Sequence, residues 1–283
     1  MVVCDRPGAG TRLPEVTFLF PFLKGRPDPF AVRQGIFRAG TAAAPGRDRL
    51  TSIKRAAAAP DHHAGMVVVS ALRVEDVILP PLGLPGTLRL PMGAKALVVF
   101  AHGSGSSRFS PRNIAVAEAF ARAGIATLLF DLLTPQEEED RANVFDIPLL
   151  AGRVVDAVRW LESDGATRGL PIGLFGASTG AAAALSAAAT LGARVRAVVS
   201  RGGRPDLAGE ALTQVRAPTL LIVGGADDVV LALNRRALAR LTCPKALEIV
   251  PGATHLFPEK GALEAVIGHA LRWFQQHAVE EQS

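Results

Sequence analysis

The alternation of apolar, strand-like segments with segments of helical length constrains the fold of this chain more than any other feature of its sequence. The run "ALVVFAHG" (96–103) is continuously apolar until it nears the glycine, which is typical of a strand buried on both faces of a parallel sheet, and "IATLLFDL" (125–132) is predicted to be the next strand. Helical segments follow these runs, for example "SPRNIAVAEAFARAG" with Ser110 as N-cap. The pattern predicts an α/β fold with a doubly wound, mostly parallel sheet and helices on both faces. Two alternating segments, "LRVEDVIL" and "GTLRLP", come first and are predicted to be short antiparallel strands.

Residues 1–65 differ in composition from the remaining 218 residues of the 283-residue chain. They are rich in Arg, Pro, Gly and Ala, and strand-like patterning begins only at Met66. We interpret 1–65 as a disordered extension or the product of a misassigned start, with a signal peptide or a transit peptide as alternatives. The folded domain is predicted to span 66–283.

The net charge of +5 does not indicate a nucleic-acid-binding protein. Residues 1–65 hold 10 of the 31 basic and 5 of the 26 acidic residues, so 66–283 carries 21 of each. No apolar run approaches the roughly 18 residues that a membrane span requires. Two cysteines form neither a disulfide framework nor a metal-ligand spacing. We therefore expect a soluble, cytoplasmic protein without nucleic-acid or membrane partners, without a metal and without a cofactor.

The segment "GLFGASTGAAAAL" (173–185) carries a G-x-S-x-G pattern centred on Ser178. Between a strand and a helix, this pattern predicts a sharp turn that lifts the serine hydroxyl above the sheet edge, with glycine at both flanks to avoid collisions. The alternative for Ser178 is a helix N-cap. A serine nucleophile also needs a base, and an acid to orient that base.

The base and the acid are expected later in the chain, in the order Ser, Asp or Glu, His. His255 lies in "PGATHLF", just past the last predicted strand, whereas His269 and His277 lie on the C-terminal helix. "TLLIVGGADDVV" offers two acids, and we favour Asp227 over Asp228, for which a helix N-cap or first-turn position is the alternative.

An oxyanion hole requires backbone N–H donors that are already in position. Thr179, directly after the serine, supplies one, and Ser104 or Gly105 in "HGSGSSR" is expected to supply the second. His102 is interpreted as a structural support of that loop.

These motifs together resemble the α/β-hydrolase superfamily, in particular its dienelactone-hydrolase-like branch. The matching stretches, in the expected order, are "VVFAHGSGSSR", "GASTG", "LIVGGADD" and "GATHLF". The resemblance implies a hydrolase that acts on a small-molecule acyl substrate through Ser178, Asp227 and His255. The dienelactone hydrolases that give the branch its name carry cysteine as nucleophile, so Ser178 leaves ester, thioester and lactone substrates open. An acyltransferase, a small peptidase and a non-catalytic binding module remain alternatives.

Two further segments near the predicted sheet edge could contribute to a substrate site. Arg201 and Arg204 in "SRGGRPDLAG" could hold a substrate carboxylate, and the alternative is an ion pair with Asp206 or another acid that holds the loop. The segment 134–146 is the longest polar interruption, and its acidic cluster at 137–140 is expected to be solvated. The oligomeric state cannot be deduced from these patterns.

Overall fold

A computed structural model describes residues 71–279, so the interpretation of residues 1–65 lies outside the described part. Within it, eight strands form one sheet: β1 Leu72–Leu79, β2 Leu84–Pro91, β3 Ala96–Ala101, β4 Ile125–Phe130, β5 Ile172–Ala177, β6 Val195–Arg201, β7 Thr219–Gly224 and β8 Lys245–Val250. Six α-helices connect or follow them: α1 Pro111–Arg122, α2 Pro135–Glu139, α3 Ile147–Ser163, α4 Thr179–Leu191, α5 Asp228–Arg240 and α6 Ala262–His277.

The strand order is β1-β2-β4-β3-β5-β6-β7-β8. β1 pairs antiparallel with β2, and β2 pairs antiparallel with β4, whereas every pairing among β3 to β8 is parallel. The predicted doubly wound, mostly parallel sheet is therefore confirmed. Because parallel strands end at the same edge of the sheet, the loops after β3 to β8 gather there.

Helices cover both faces of this sheet, as the continuous apolar strands require. On one face, α3, α4 and part of α5 pack on residues such as Leu97, Leu174 and Val198. On the other face, α1 and α6 pack on residues such as Phe100 and Phe175. All six residues of each of β3, β4, β5 and β7 are buried, which explains why the sequences of these strands are predominantly apolar.

The boundaries of α1 follow from its terminal residues. Ser110 is the N-cap and its hydroxyl accepts a hydrogen bond from the Asn113 amide, while Pro111 occupies the first turn. Gly124 follows the C-terminus with a φ of 77°. These are the start and stop signals visible in the sequence.

The polar segment 134–146 is more structured than its composition suggests. It contains α2 and a 3-10 turn at Asn143–Phe145. The hydroxyl of Thr134 accepts from the Glu137 amide, while the Glu137 carboxylate accepts from the Thr134 amide, forming a capping box. Glu137 also pairs with Arg153 on α3 at 2.6 Å. The expectation of a wholly solvated acidic cluster was therefore wrong for Glu137, which is half-buried, whereas residues 138–140 are exposed.

Candidate active site

Ser178 occupies a strained turn between β5 and α4. Its φ of 51° and ψ of −123° are unusual for a residue with a side chain. A Cβ at Gly176 would lie 2.4 Å from Ala181 Cα, and one at Gly180 would lie 2.2 Å from the carbonyl oxygen of Ala101. Only glycine fits at both flanks, because backbone meets backbone there. Ser178 is the N-cap residue of α4, but its side chain makes no capping hydrogen bond, so the hydroxyl is free for another partner.

The structure brings Ser178, His255 and Asp227 into one hydrogen-bonded row. Ser178 Oγ lies 3.4 Å from His255 Nε2, and His255 Nδ1 lies 2.7 Å from Asp227 Oδ2. A carboxylate can only accept, so the proton is on Nδ1 and Nε2 is left as the acceptor facing the serine. The Ser178–His255 distance of 3.4 Å is long for a hydrogen bond, and distances of this length between a candidate nucleophile and its base are common in the absence of substrate.

Of the two candidate acids, Asp227 is the one in contact with His255. Its other oxygen, Oδ1, accepts from the Val230 amide at 3.4 Å and so caps α5. Asp228 is the first residue of α5 and lies in its first turn, where an acidic side chain interacts favourably with the helix dipole. Asp227 therefore serves both as cap and as the partner of the histidine.

The loop that carries His255 is tied to the loop that carries Asp227. The Ala226 amide donates to the Ala253 carbonyl at 2.9 Å, and the Gly225 amide donates to the Val250 carbonyl at 2.8 Å. On the far side of the histidine, Phe257 has a φ of 55° and is buried in the face shared with α1 and α6. The position of His255 is therefore fixed by main-chain hydrogen bonds on one side and by the buried Phe257 on the other, and 32% of its side chain is exposed.

The oxyanion-hole candidates lie together next to Ser178, but one of them is already engaged. A Cβ at Gly103 would lie 2.9 Å from Ser178 Cβ, so the loop after β3 lies directly against the serine. The Ser104 amide donates to the Thr179 hydroxyl at 2.8 Å. The Thr179 amide is at the start of α4, where amides have no acceptor within the helix. Within residues 71–279, the Gly105 amide has no hydrogen-bond acceptor.

His102 links this loop to the end of β4. Its Nδ1–H donates to the Gly103 carbonyl at 3.0 Å, and its Nε2 accepts from the Leu132 amide at 3.2 Å. Burial lowers the pKa of His102, because desolvation disfavours the charged imidazolium. A neutral ring with a hydrogen bond at each nitrogen is consistent with the structural role inferred from the sequence.

A contact that sequence reasoning missed lies in the same loop. The Arg108 amide donates to Asp131 Oδ1 at 2.7 Å, and the Arg108 guanidinium pairs with Asp131 Oδ2. The two residues are 23 positions apart, so no local pattern signals the pair. Together with His102, it joins the loop after β3 to the end of β4.

A cavity of about 370 Å³ opens beside the loop after β3. This volume lies within the range of small-molecule sites. Its lining comes from that loop, the end of β4, the 134–146 segment and α3: His102, Gly103, Ser104, Gly105, Ser106, Ser107, Leu132, Leu133, Glu138, Val144 and Leu150.

The two arginines named as substrate contacts have different environments. Arg204 donates from Nε and Nη2 to the two oxygens of Asp206 at 2.9 and 2.8 Å, which is the ion pair considered as the alternative. This bond raises the pKa of Arg204. Arg201 is buried, and its carbonyl accepts from the Ser178 amide at 3.3 Å. The role of Arg204 in substrate binding remains a prediction, and its guanidinium is already occupied.

Within residues 71–279, no group of three or more His, Cys, Asp or Glu side chains could hold a metal ion. In the same part of the chain, no helix has the length and hydrophobicity of a membrane span.

The sheet, the two helical layers and the serine-bearing turn define the α/β-hydrolase fold. The model of the dienelactone hydrolase family matches residues 84–277, and this chain belongs to that family. The crystal structure of a dienelactone hydrolase from Anabaena variabilis is 53% identical to it, covers 74% of this chain and 99% of that chain, and superposes with a TM-score of 0.70. Est1E from Butyrivibrio proteoclasticus shares the fold at 15% identity and a TM-score of 0.60, covering 71% of this chain and 98% of that one.

Two Mycobacterium tuberculosis proteins, from strains CDC 1551 and H37Rv, are 59% identical to this chain over 208 residues. Each is described as a putative phosphoribosyl transferase. The match covers 73% of this chain but 47% of each relative, so this chain spans about half the length of those proteins.

Proposed function

We propose that this hydrolase cleaves an ester, thioester or lactone-type acyl compound through an acyl-enzyme on Ser178. The observation that carries the proposal is the row from Ser178 Oγ to His255 Nε2 at 3.4 Å and from His255 Nδ1 to Asp227 Oδ2 at 2.7 Å. A serine hydroxyl becomes a useful nucleophile only beside a base that is itself oriented. Both conditions are met here by residues on three separate loops.

The proposed reaction has two halves. Ser178 Oγ attacks the substrate carbonyl carbon, while its proton passes to His255 Nε2. The imidazolium, stabilised by Asp227, then gives that proton to the departing alcohol or thiol, and an acyl-enzyme remains. In the second half, His255 takes a proton from water, the hydroxide attacks the acyl carbon, and the proton returns to Ser178 Oγ as the acid departs.

The negative charge on the carbonyl oxygen is proposed to be stabilised by backbone amides. Thr179 offers its amide at the start of α4, where the helix dipole adds positive potential. For the second donor, Ser104 would have to release the Thr179 hydroxyl, to which its amide donates at 2.8 Å. Gly105, whose amide has no acceptor within residues 71–279, is the alternative donor.

The surroundings of Asp227 support hydrolysis over phosphoribosyl transfer. A phosphoribosyl transferase would need a phosphate-binding loop, of the Thr-Gly kind, after a pair of acids. In this chain the acids Asp227 and Asp228 lead straight into α5, whose sequence is "DVVLALNRRALAR", and Asp227 is bonded to His255.

Probe labelling and ester hydrolysis by the full-length protein test this proposal directly. We expect the wild-type protein to be labelled by a fluorophosphonate probe and to hydrolyse p-nitrophenyl acetate. Ser178→Ala should lose labelling and at least about 10³-fold in kcat. Ser186→Ala, on the same helix but outside the row, is the matched control and should behave as wild type.

Labelling of Ser178→Ala at the wild-type rate would contradict the assignment of the nucleophile. A folded wild-type protein that neither reacts with the probe nor hydrolyses the ester would favour a binding module. Formation of glycerol acetate in place of free acetate, when glycerol is added, would identify an acyltransferase.

A further inference from the structure

A buried arginine without a hydrogen-bond partner lies beside the proposed nucleophile. Arg201, the last residue of β6, is 7% exposed, and its Nη1 is buried without any hydrogen-bond partner. In the described part of the chain, its other guanidinium nitrogens donate no hydrogen bond either. Leaving a buried charged donor unpaired is costly, so such groups usually have a partner.

The side chain of Arg201 is directed toward the sheet face that carries α1 and α6. Val199, two residues earlier on the same strand, packs in the apolar cluster of that face. The intervening residue, Ser200, points to the opposite face, since its Oγ would lie 2.0 Å from a Cβ at Gly203, which would also lie against Ala181 of α4. Strand alternation therefore places Arg201 with Val199.

A second arginine with a buried and unpartnered Nε, Arg112 on α1, is close enough to Arg201 for its positive charge to act on it. Burial, followed by the positive charge of Arg112, lowers the pKa of Arg201 to about 10, so Arg201 remains protonated at neutral pH. Arg112 Nε is also buried without a partner. Arg112 is the second residue of α1, at the end of the helix where the dipole already favours a negative charge. No acidic side chain of residues 71–279 forms an ion pair with either arginine.

The other two arginines of this region are neutralised within the protein. Arg108 is paired with Asp131, and Arg204 is paired with Asp206. The region therefore has two cations with acidic partners and two without. The uncompensated charge amounts to two, concentrated at Arg201 and Arg112.

This charge lies at the same end of the sheet as Ser178. The Ser178 amide is bonded to the Arg201 carbonyl, and Ala177 is the register partner of Arg201. The next residue, Gly202, is so close to His255 that a Cβ there would lie 2.8 Å from its carbonyl oxygen and 3.8 Å from its ring carbon Cε1. The backbone of Arg201 therefore contacts the turn that carries Ser178, and the next residue along the chain lies against His255.

We propose that Arg201 and Arg112 form a subsite for a doubly charged oxyanion, of the phosphate monoester class, carried by the acyl substrate. A carboxylate would neutralise one of the two charges, whereas a phosphate monoester neutralises both and offers three acceptor oxygens to the planar guanidinium groups. The role of this anion as part of a substrate rests on the proposed hydrolase function, but its binding does not.

Isothermal titration of inorganic phosphate into full-length Ser178→Ala measures binding without catalysis. At pH 8 phosphate carries about two negative charges, and chloride keeps the ionic strength constant because salt screens exposed charges. We expect one phosphate site. Arg201→Met and, separately, Arg112→Met should each lower the affinity for phosphate at least tenfold. Arg235→Met, which removes an exposed arginine of α5, is the matched control and should leave the affinity unchanged.

Phosphate binding no tighter than chloride, or binding that survives Arg201→Met unchanged, would overturn the subsite. Acetate binding as tightly as phosphate would overturn the preference for a doubly charged group. Circular dichroism of each variant separates a lost site from a lost fold, and removal of a buried unpaired charge is not expected to destabilise the protein.

A matched substrate pair tests the link to hydrolysis. The wild-type enzyme should hydrolyse the acetate ester of glycerol 3-phosphate with a kcat/KM at least tenfold above that for the acetate ester of glycerol, and Arg201→Met should bring the ratio close to one. If the wild-type enzyme had the same kcat/KM for both esters, the proposal that the bound anion belongs to the substrate would be overturned. If neither ester is cleaved while phosphate still binds through Arg201, the hydrolase proposal fails and the anion site stands.

Discussion

Replacing Gly180 by alanine would push the serine-bearing turn away from the loop after β3. The added Cβ would lie 2.2 Å from the Ala101 carbonyl oxygen and 2.4 Å from that of His102, whereas ordinary contacts begin at 3.4 Å. Both opposing atoms belong to the backbone, so the two segments must separate by about 1 Å. A misplacement of that size can cost about 10²-fold in rate, which corresponds to about 2.7 kcal/mol. The overpacking should also lower the free energy of unfolding by about 1–3 kcal/mol.

Two measurements check this reasoning: kcat/KM for p-nitrophenyl acetate and the midpoint of urea unfolding. Gly152→Ala is the control, because a Cβ at Gly152 of α3 meets no atom within 4 Å. It should leave kcat/KM unchanged and raise the free energy of unfolding by about 0.5–1 kcal/mol, the helix propensity difference between glycine and alanine. If Gly180→Ala retained the wild-type kcat/KM and midpoint, the close approach of these segments would have no functional weight.

Two further predictions concern the proton-bearing groups. Asp227→Asn should lower kcat for p-nitrophenyl acetate by about 10⁴-fold, because an amide cannot hold His255 in the required tautomer, whereas Asp228→Asn should retain wild-type kcat; equal effects would refute the choice between the two acids. For His102, the lowered pKa means that the unfolded chain binds a proton below its ordinary pKa of 6.5 while the folded protein does not. The free energy of unfolding should therefore fall as the pH drops through 6.5 toward the folded pKa, and this His102 contribution should be constant above that window. Urea unfolding from about pH 8 to about pH 5 measures this slope, and an unchanged slope in His102→Gln would show that other groups cause it.

Much of the fold and the position of the site could be predicted because the relevant signals are local. Strands buried on both faces are predominantly apolar, so β3, β4 and β5 can be predicted from the sequence. Ser178 directly follows β5, and His255 comes five residues after β8, which is partly exposed. Parallel strands bring their ends to one edge of the sheet. The sequence alone therefore predicts that Ser178 and His255 lie at that edge.

The features that the sequence did not predict escaped prediction for two physical reasons. The capping box of Thr134 and Glu137 was readable in "TPQE", but the polar composition of the segment concealed α2. The difference between Arg201 and Arg204 was not readable, because it depends on which face of the sheet a side chain meets and on a neighbour from α1. The engagement of the Ser104 amide by Thr179 likewise joins residues 75 positions apart.

The connections around the site are fastened in two different ways, which has a consequence for engineering. The loops after β5 to β8 are joined by main-chain hydrogen bonds, among them Arg204 to Ser178 at 3.0 Å and Ala226 to Ala253 at 2.9 Å. The loops after β3 and β4 are held mainly by side chains, such as the pair of Arg153 and Glu137. Side-chain interactions can be altered by substitution, whereas main-chain hydrogen bonds are lost only when the backbone conformation changes. Libraries intended to alter the proposed substrate selectivity should therefore be concentrated on residues 106–111 and 132–147, because substitutions there leave Ser178, His255, Asp227, the proposed oxyanion donors and Arg112 unchanged.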